Sequence, residues 1–167
     1  MIELDLPRLL AALHAGGVDY VVIGGIAAVF HGSPFPTEDL DITPEADQDN
    51  LERLAGALRG LNARIRTEGV PEGVPLPCDG ASLAAAETWN LVTDAGDVDL
   101  SLRPSGTAGY PDLLRAAVAT DLYDSPVLIA SLGDVIRSKQ AANRPKDQRI
   151  LPTLRELLAQ RPPPRPR

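Results

Sequence analysis

The chain has 167 residues, 44% of them hydrophobic, and a net charge of −7, which fits one domain, or a compact core with a small appended lobe. No apolar run approaches the roughly 20 residues that span a bilayer, and Met1-Ile2-Glu3-Leu4-Asp5 lacks the basic region that opens a signal peptide, so a cytoplasmic location without a membrane partner is expected. Cys78 is the single cysteine, which excludes an internal disulfide. It lies between Pro77 and Asp79 with no motif placing a base beside it, and reads as an incidental thiol.

Leu4 to Ala15 reads as an amphipathic helix, with Leu6, Leu9, Leu10 and Leu13 at spacings of three and four, closed by Gly16-Gly17. Tyr20 to Ile23 is a short apolar strand. Gly24-Gly25 then turns the chain into a helix from about Ile26 to His31, ended by Gly32, and Ser33-Pro34-Phe35-Pro36 is a loop. Glu38 to Thr43 is the next strand. Asp47 to Leu61 is a helix with Leu51, Leu54, Leu58 and Leu61 on one stripe, capped between Pro44 and Asp47, and Ala63 to Arg66 reads as a strand.

Residues 67–82 are rich in Gly and Pro and read as a surface loop. Thr88 to Val92 and Val98 to Leu102 are strands of a hairpin turning through Thr93 to Asp97. Pro111 to Thr120 reads as a helix, followed by the strand-like runs Asp121-Leu122-Tyr123 and Val127-Leu128-Ile129. Ser131-Leu132-Gly133-Asp134 starts a helix that reaches Asn143. Pro145 breaks it, and a last helix runs to about Gln160. Residues 161–167, Arg-Pro-Pro-Pro-Arg-Pro-Arg, read as a disordered basic tail. The element order predicts an α+β fold, a small mixed β-sheet flanked by helices. Its expected divisions are a core over 1–108, a helical C-terminal lobe over 109–160 and the tail over 161–167.

Charge is unevenly spread. Residues 1–130 hold seven basic and 20 acidic residues, a net of −13, whereas residues 131–167 hold nine basic and three acidic, a net of +6. Such a split suits metal on one side and a polyanion on the other, or simply solvated Arg-rich helix ends. Only two lysines occur, Lys139 and Lys146, against fourteen arginines. A chain that uses arginine so freely marks these two positions as sites for a compact point charge.

The chemistry is concentrated in two acid pairs. In Asp39-Leu40-Asp41-Ile42, strand alternation sends Leu40 and Ile42 to one face and both carboxylates to the other. Like charges this close cost energy unless a cation sits between them. Asp97-Val98-Asp99-Leu100 repeats the pattern. Carboxylate oxygens suit Mg²⁺ or Mn²⁺ rather than Zn²⁺, and two such ions roughly 3.5–4 Å apart clamp the attacking and leaving oxygens of an in-line displacement. Gly24-Gly25 at a helix start offers backbone N–H groups to phosphates. His31 and Trp89 read as structural rather than as nucleotide contacts, and Ser33 and Thr37 as loop caps or phosphate contacts.

Gly24-Gly25, then Asp39-Leu40-Asp41, then Val98-Asp99-Leu100 resemble the nucleotidyltransferase superfamily of DNA polymerase β-like folds. The resemblance implies that Asp39 and Asp41 bind both metals and that Asp99 helps bind the metal of the attacking group. Asp97, preceded by Gly96, falls outside the hydrophobic-acid-hydrophobic frame. It is a turn or supporting residue, or else the ligand in place of Asp99. Ser138-Lys139-Gln140-Ala141-Ala142-Asn143-Arg144-Pro145-Lys146-Asp147 resembles the Lys-x-x-x-x-Arg motif and following Asp of AbiEii-like and MenT-like nucleotidyltransferase toxins. That resemblance implies that Lys139 and Arg144 contact nucleotide phosphates and that Asp147 supports the site. Asn143 stands where those proteins usually have Gly, which puts the local backbone geometry in question.

The expected function is Mg²⁺- or Mn²⁺-dependent transfer of a nucleoside monophosphate from an NTP to a hydroxyl. A tRNA 3′ end is the first acceptor considered, within a toxin–antitoxin system that supplies an antitoxin partner. A protein or small-molecule acceptor is the runner-up. A catalytically silent antitoxin or binding module is the alternative from another class, and the complete acid set argues against it.

Overall fold

The computed structural model describes residues 2–163. Its centre is β1 (Tyr20–Ile23), where Val21 and Val22 are fully buried. β-Branched residues pack well on such a two-sided buried strand. The glycine-led helix α2 (Gly24–Phe30) leaves it directly, and β2 (Asp39–Pro44) returns antiparallel beside β1, pairing Ile23 with Asp41 and Val22 with Ile42. α1 (Leu6–Ala15) and α3 (Gln48–Gly60) pack on each other and on the sheet. Their leucines, Leu9, Leu10 and Leu13 with Leu51, Leu54 and Leu58, form the core together with Leu40, Ile42, Val98 and Leu100. Asp5 and Asp47 cap the two helices, accepting the N–H groups of Arg8 and Asn50.

The sheet has eight strands in the order β4-β3-β5-β6-β2-β1-β8-β7. They are β3 (Arg64–Thr67), β4 (Val70–Pro75), β5 (Thr88–Thr93), β6 (Gly96–Ser101), β7 (Val118–Leu122) and β8 (Ser125–Ile129), with β1 and β2 between β6 and β8. β2–β6 and β1–β8 are parallel and the other pairs antiparallel, a mixed sheet as the element order predicted. The short helices α4 (Gly80–Ala84) and α5 (Tyr110–Leu114) lie in the connections. After β8 come α6 (Leu132–Ala142) and α7 (Pro145–Ala159), which pack together, with α6 also on α2. No helix among the described residues is long and apolar enough to cross a membrane.

Three expectations change. Residues 67–82 are not one loop: they hold β4 and α4. β4 is an edge strand, where Pro71 and Pro75 cost no ladder bond on the outer side. Gly73 (φ +76°) passes so close to β3 that a Cβ would lie 2.7 Å from the Ile65 carbonyl oxygen. The predicted helix over Pro111 to Thr120 stops at Leu114, and Val118, Ala119 and Thr120 pair instead with Ile129, Leu128 and Val127. The hairpin turn is tighter than Thr93 to Asp97. Thr93 already pairs with Gly96, so Asp97 is a strand residue. Residues 164–167 of the expected basic tail lie outside the described residues.

Asn50 ties the entry of β1 to the exit of β2. It is fully buried, accepts the Asp19 N–H at 2.8 Å, and donates to the Asp19 and Glu45 carbonyls at 2.8 Å each. Asn50→Ala removes the partner of the Asp19 N–H and of the Glu45 carbonyl, while the Asp19 carbonyl keeps the Glu45 N–H at 3.0 Å; a buried group left unpaired costs roughly 1–3 kcal/mol. Urea denaturation should show a loss of at least about 2 kcal/mol. A loss under about 0.5 kcal/mol would mean that water replaces the amide without cost.

Candidate active site

The parallel register of β2 and β6 places Asp39 opposite Asp97 and Asp41 opposite Asp99. Oxygens of Asp39, Asp41 and Asp99 lie within 4.8 Å of one another. They form the floor of a cleft of about 560 Å³. Asp97 takes no part in that cluster. Its Oδ2 lies 2.9 Å from Arg66 Nη1, while Arg66 Nη2 donates to Asp99 Oδ1 at 2.7 Å.

Gly24 is required by both backbone and space. Its φ is +63°, and a Cβ there would collide with the Asp41 carboxylate. A Cβ on Gly25 would fall 2.5 Å from Thr37 Oγ1. Thr37 in turn donates to the Asp39 carboxylate at 3.3 Å and lines the cleft. The glycine pair therefore leaves a bare backbone beside the acids.

The facing wall comes from α6 and α7. Lys139, Arg144, Lys146 and Asp147 all line the cleft. Asp147 is completely buried. Its Oδ2 accepts from Arg144 Nε at 2.7 Å and from the Arg144 N–H at 3.1 Å, and its Oδ1 lies 3.7 Å from Lys139 Nζ. Burial alone would raise its pKa, but these partners outweigh burial and hold it below the usual carboxylate range. Burial lowers the Lys139 pKa, a change that Asp147 and Asp41 oppose. Asn143, in place of the glycine of the related motif, takes φ +52° as the left-handed cap of α6. Asparagine tolerates that region, and its Oδ1 accepts from Gln148 Nε2 at 2.9 Å.

Burial first, and then mutual repulsion, raise the pKa values of two of the acids. Burial, with Asp39 and Asp99 adding, pushes Asp41 up to about 7, against the opposing charges of Lys139 and Lys146. Asp99 is pushed up to about 6 by burial and Asp39, with Arg66 opposing. Both lysines of the chain therefore act on the same cluster.

The remaining candidates each have a hydrogen-bond partner within the fold. His31 pairs through Nε2 with the Ala130 carbonyl at 2.7 Å, and Nδ1 accepts from Arg161 at 2.7 Å. Trp89 stands opposite Leu100 on the core face and donates its indole N–H to the Leu83 carbonyl at 3.0 Å. Ser33 accepts the Phe35 N–H at 3.3 Å and also lines the cleft. The Cys78 thiol donates to the Ala55 carbonyl, and burial pushes its pKa up. Lys146 and Arg66 are the site residues that sequence reasoning left unassigned. The rarity of lysine pointed at Lys146, and no local pattern marked Arg66.

The mixed sheet with its flanking helices is a fold shared with solved structures of nucleotidyltransferases. The solved structures that share it include the lincosamide antibiotic adenylyltransferase LnuA with lincomycin bound, at a TM-score of 0.60 and 14% identity over 93% of this chain and 99% of that one. The antibiotic-resistance factor ANT(2'')-Ia matches with a TM-score of 0.53 and 15% identity over 91% of this chain and 86% of that one. An antigenic nucleotidyltransferase-like protein from Paracoccidioides brasiliensis matches with a TM-score of 0.52 and 20% identity over 99% of this chain and 81% of that one. No protein-family model and no curated protein matches the chain.

The raised Asp41 pKa has a stability consequence with a definite sign. Between 3.8, the ordinary value, and about 7 the folded state binds more protons than the unfolded state, so stability without metal falls as pH rises through that window. Asp99 adds to the slope. His31, lowered by burial, contributes the opposite slope below 6.5. Asp41→Asn leaves the His31 contribution in place, so the difference between the two proteins reports Asp41 together with its repulsion of Asp39 and Asp99. Urea midpoints in EDTA from pH 4.5 to 8 should show Asp41→Asn gaining on wild type as pH rises. Parallel pH profiles would contradict the buried-acid geometry.

Proposed function

We propose that this chain transfers a nucleoside monophosphate from an NTP to a hydroxyl acceptor in a divalent-cation-dependent reaction. The observation that carries this reading is the convergence of Asp39, Asp41 and Asp99 within 4.8 Å on a cleft floor that faces Lys139, Arg144 and Lys146. Three hard carboxylates without His or Cys fit Mg²⁺ or Mn²⁺. Asp39 and Asp41 would hold the ions shared with the nucleotide, and Asp99 the ion on the acceptor side. When bound, such ions polarise the reacting oxygens and neutralise developing charge.

The chain's own residues supply binding and orientation. Lys139 and Lys146 are point charges for the triphosphate, and Arg144, oriented by Asp147, offers a fork to two oxygens. The bare backbone of Gly24 and Gly25 lets phosphates approach closely. The acceptor oxygen attacks the α-phosphorus in line as the bond to the bridging oxygen of the β-phosphate breaks, and pyrophosphate leaves.

For the acceptor, the segment Ser138 to Asp147 and the +6 charge of residues 131–167 support an RNA 3′ end, within a toxin–antitoxin pair. A small-molecule hydroxyl is favoured by a different observation. The lincomycin-bound LnuA is matched over 99% of its length, and the cleft here, about 560 Å³, has the volume of a small-molecule pocket. The full chain, incubated with each α-labelled NTP, Mg²⁺, total tRNA and a lysate, separates these readings by whether label enters RNA, protein or small molecules. Label in none of the three would overturn the enzyme reading.

Asp39→Asn should lower transfer at least a hundredfold, with the fold intact by circular dichroism. Wild-type rates in this variant would sink the metal-site reading. Lys139→Arg should lower turnover or nucleotide affinity at least tenfold, or about 1.4 kcal/mol, because a planar guanidinium misplaces phosphates that a compact ammonium fits. A variant matching wild type in both would reduce Lys139 to a generic charge.

A further inference from the structure

Asp97 and Asp99 stand two residues apart on β6, so both project from one face of the sheet. Local sequence offers each as the third acid, yet only Asp99 joins Asp39 and Asp41. Both carboxylates meet Arg66. It reaches from β3 past the intervening β5. One guanidinium nitrogen lies 2.9 Å from Asp97 Oδ2 and the other bonds Asp99 Oδ1 at 2.7 Å. The bond to Asp99 is directed, because a planar guanidinium has fixed donor directions that a lysine point charge lacks, whereas Asp97 is held by charge and proximity without a hydrogen bond to Nη1. Among the described residues no other cation pairs directly with a carboxylate of the triad.

We propose that Arg66 is a positioning residue that aims Asp99 at Asp39 and Asp41 and divides its positive charge between Asp99 and Asp97. This rests on the reading of the acid cluster as a divalent-cation site. Arg66 takes Oδ1 of Asp99 and leaves Oδ2 for an ion. Its fixed positive charge also opposes a dication at the same carboxylate. Removing it therefore has two effects of opposite sign: stronger attraction for the ion and a poorly aimed ligand. A scaffold residue has no such signature, since its loss would weaken ion binding and turnover together.

The test uses the full chain at pH 8, above the values to which burial raises Asp41 and Asp99. Mn²⁺ dissociation constants come from titration calorimetry, and kcat and KM from the transfer assay. Arg66→Ala should bind Mn²⁺ at least threefold tighter, lose at least tenfold in kcat at saturating Mn²⁺ and NTP, and change KM for NTP less than twofold. Arg66→Lys, which keeps the charge without the fork, should return Mn²⁺ affinity to wild type while kcat stays at least threefold low. Unchanged Mn²⁺ affinity and kcat in Arg66→Ala would overturn the proposal, as would a parallel loss of both.

Asp97→Asn supplies a second line that leaves Arg66 in place. It should weaken Mn²⁺ binding at least threefold by giving Arg66 wholly to Asp99, and the same change in an Arg66→Ala background should cost less than twofold. A full loss in that background would make Asp97 a ligand and overturn the assignment. Asp39→Asn is the control for the underlying reading. If it leaves Mn²⁺ binding intact, the acid cluster is not the cation site, whereas a loss there combined with a silent Arg66→Ala rejects the Arg66 role alone.

Discussion

Three carboxylates within 4.8 Å of one another repel, and much of the surrounding structure is arranged to hold them there regardless. The parallel pairing of β2 with β6 fixes their spacing through backbone hydrogen bonds, so side-chain repulsion cannot spread them without breaking a ladder. Leu40, Ile42, Val98 and Leu100, alternating with the acids on the same two strands, are fully or nearly fully buried on the opposite face. A one-residue slip of either strand would expose those apolar residues and bury the acids. Hydrophobic packing on one face thus holds in place an electrostatic strain on the other. Gly24 belongs to the same constraint, since the Asp41 carboxylate occupies the space a side chain would need.

The C-terminal helices meet this acidic floor with a wall built on a single buried acid. Asp147 has no exposure, and it remains ionised because Arg144 and Lys139 surround it. It caps α7 by accepting the Arg144 N–H, and the same carboxylate orients the Arg144 guanidinium. Helix start and cation placement are one interaction. Pro145 in the first turn costs nothing there, and Asn143 supplies the left-handed turn that lets α6 stop and α7 begin within three residues.

How much of this was readable in the sequence depended on the range of the interaction. β1, β2 and α3 follow from local period and caps, and their bounds fall within a residue or two of expectation. The acid pairs were legible for the same reason, because alternation along a strand is a local property. β4, which completes the edge hairpin with the expected strand β3, was hidden by Pro71, Gly73 and Pro75, whose loop-like composition is tolerated because β4 has no outer neighbour. The extent of α5 was misjudged because Val118 to Thr120 are claimed by β8, a partner that no window over Pro111 to Thr120 contains. The placement of Asp97 and Asp99 was hidden likewise, since it is visible only in the folded sheet, where Asp99 stands with Asp39 and Asp41 and Arg66 reaches both acids of β6 from a strand two positions away.

The charge asymmetry gains a different meaning once the chain is folded. In sequence, a −13 body and a +6 C-terminal segment read as two regions facing two partners. In space, Lys139, Arg144 and Lys146 look across the cleft at Asp39, Asp41 and Asp99, and Asp41 senses both lysines. The opposite charges partly offset each other across a gap of molecular size instead of forming separate fields. A ligand that carries both signs, an anionic phosphate chain together with its cations, satisfies both walls at once. A bare polyanion or a free cation satisfies only one. The cleft in this sense suits a ligand of mixed charge, which the proposed metal–triphosphate substrate would be. That complementarity ties the rarity of lysine in the chain to its placement, because both lysines stand on the wall that faces the acids.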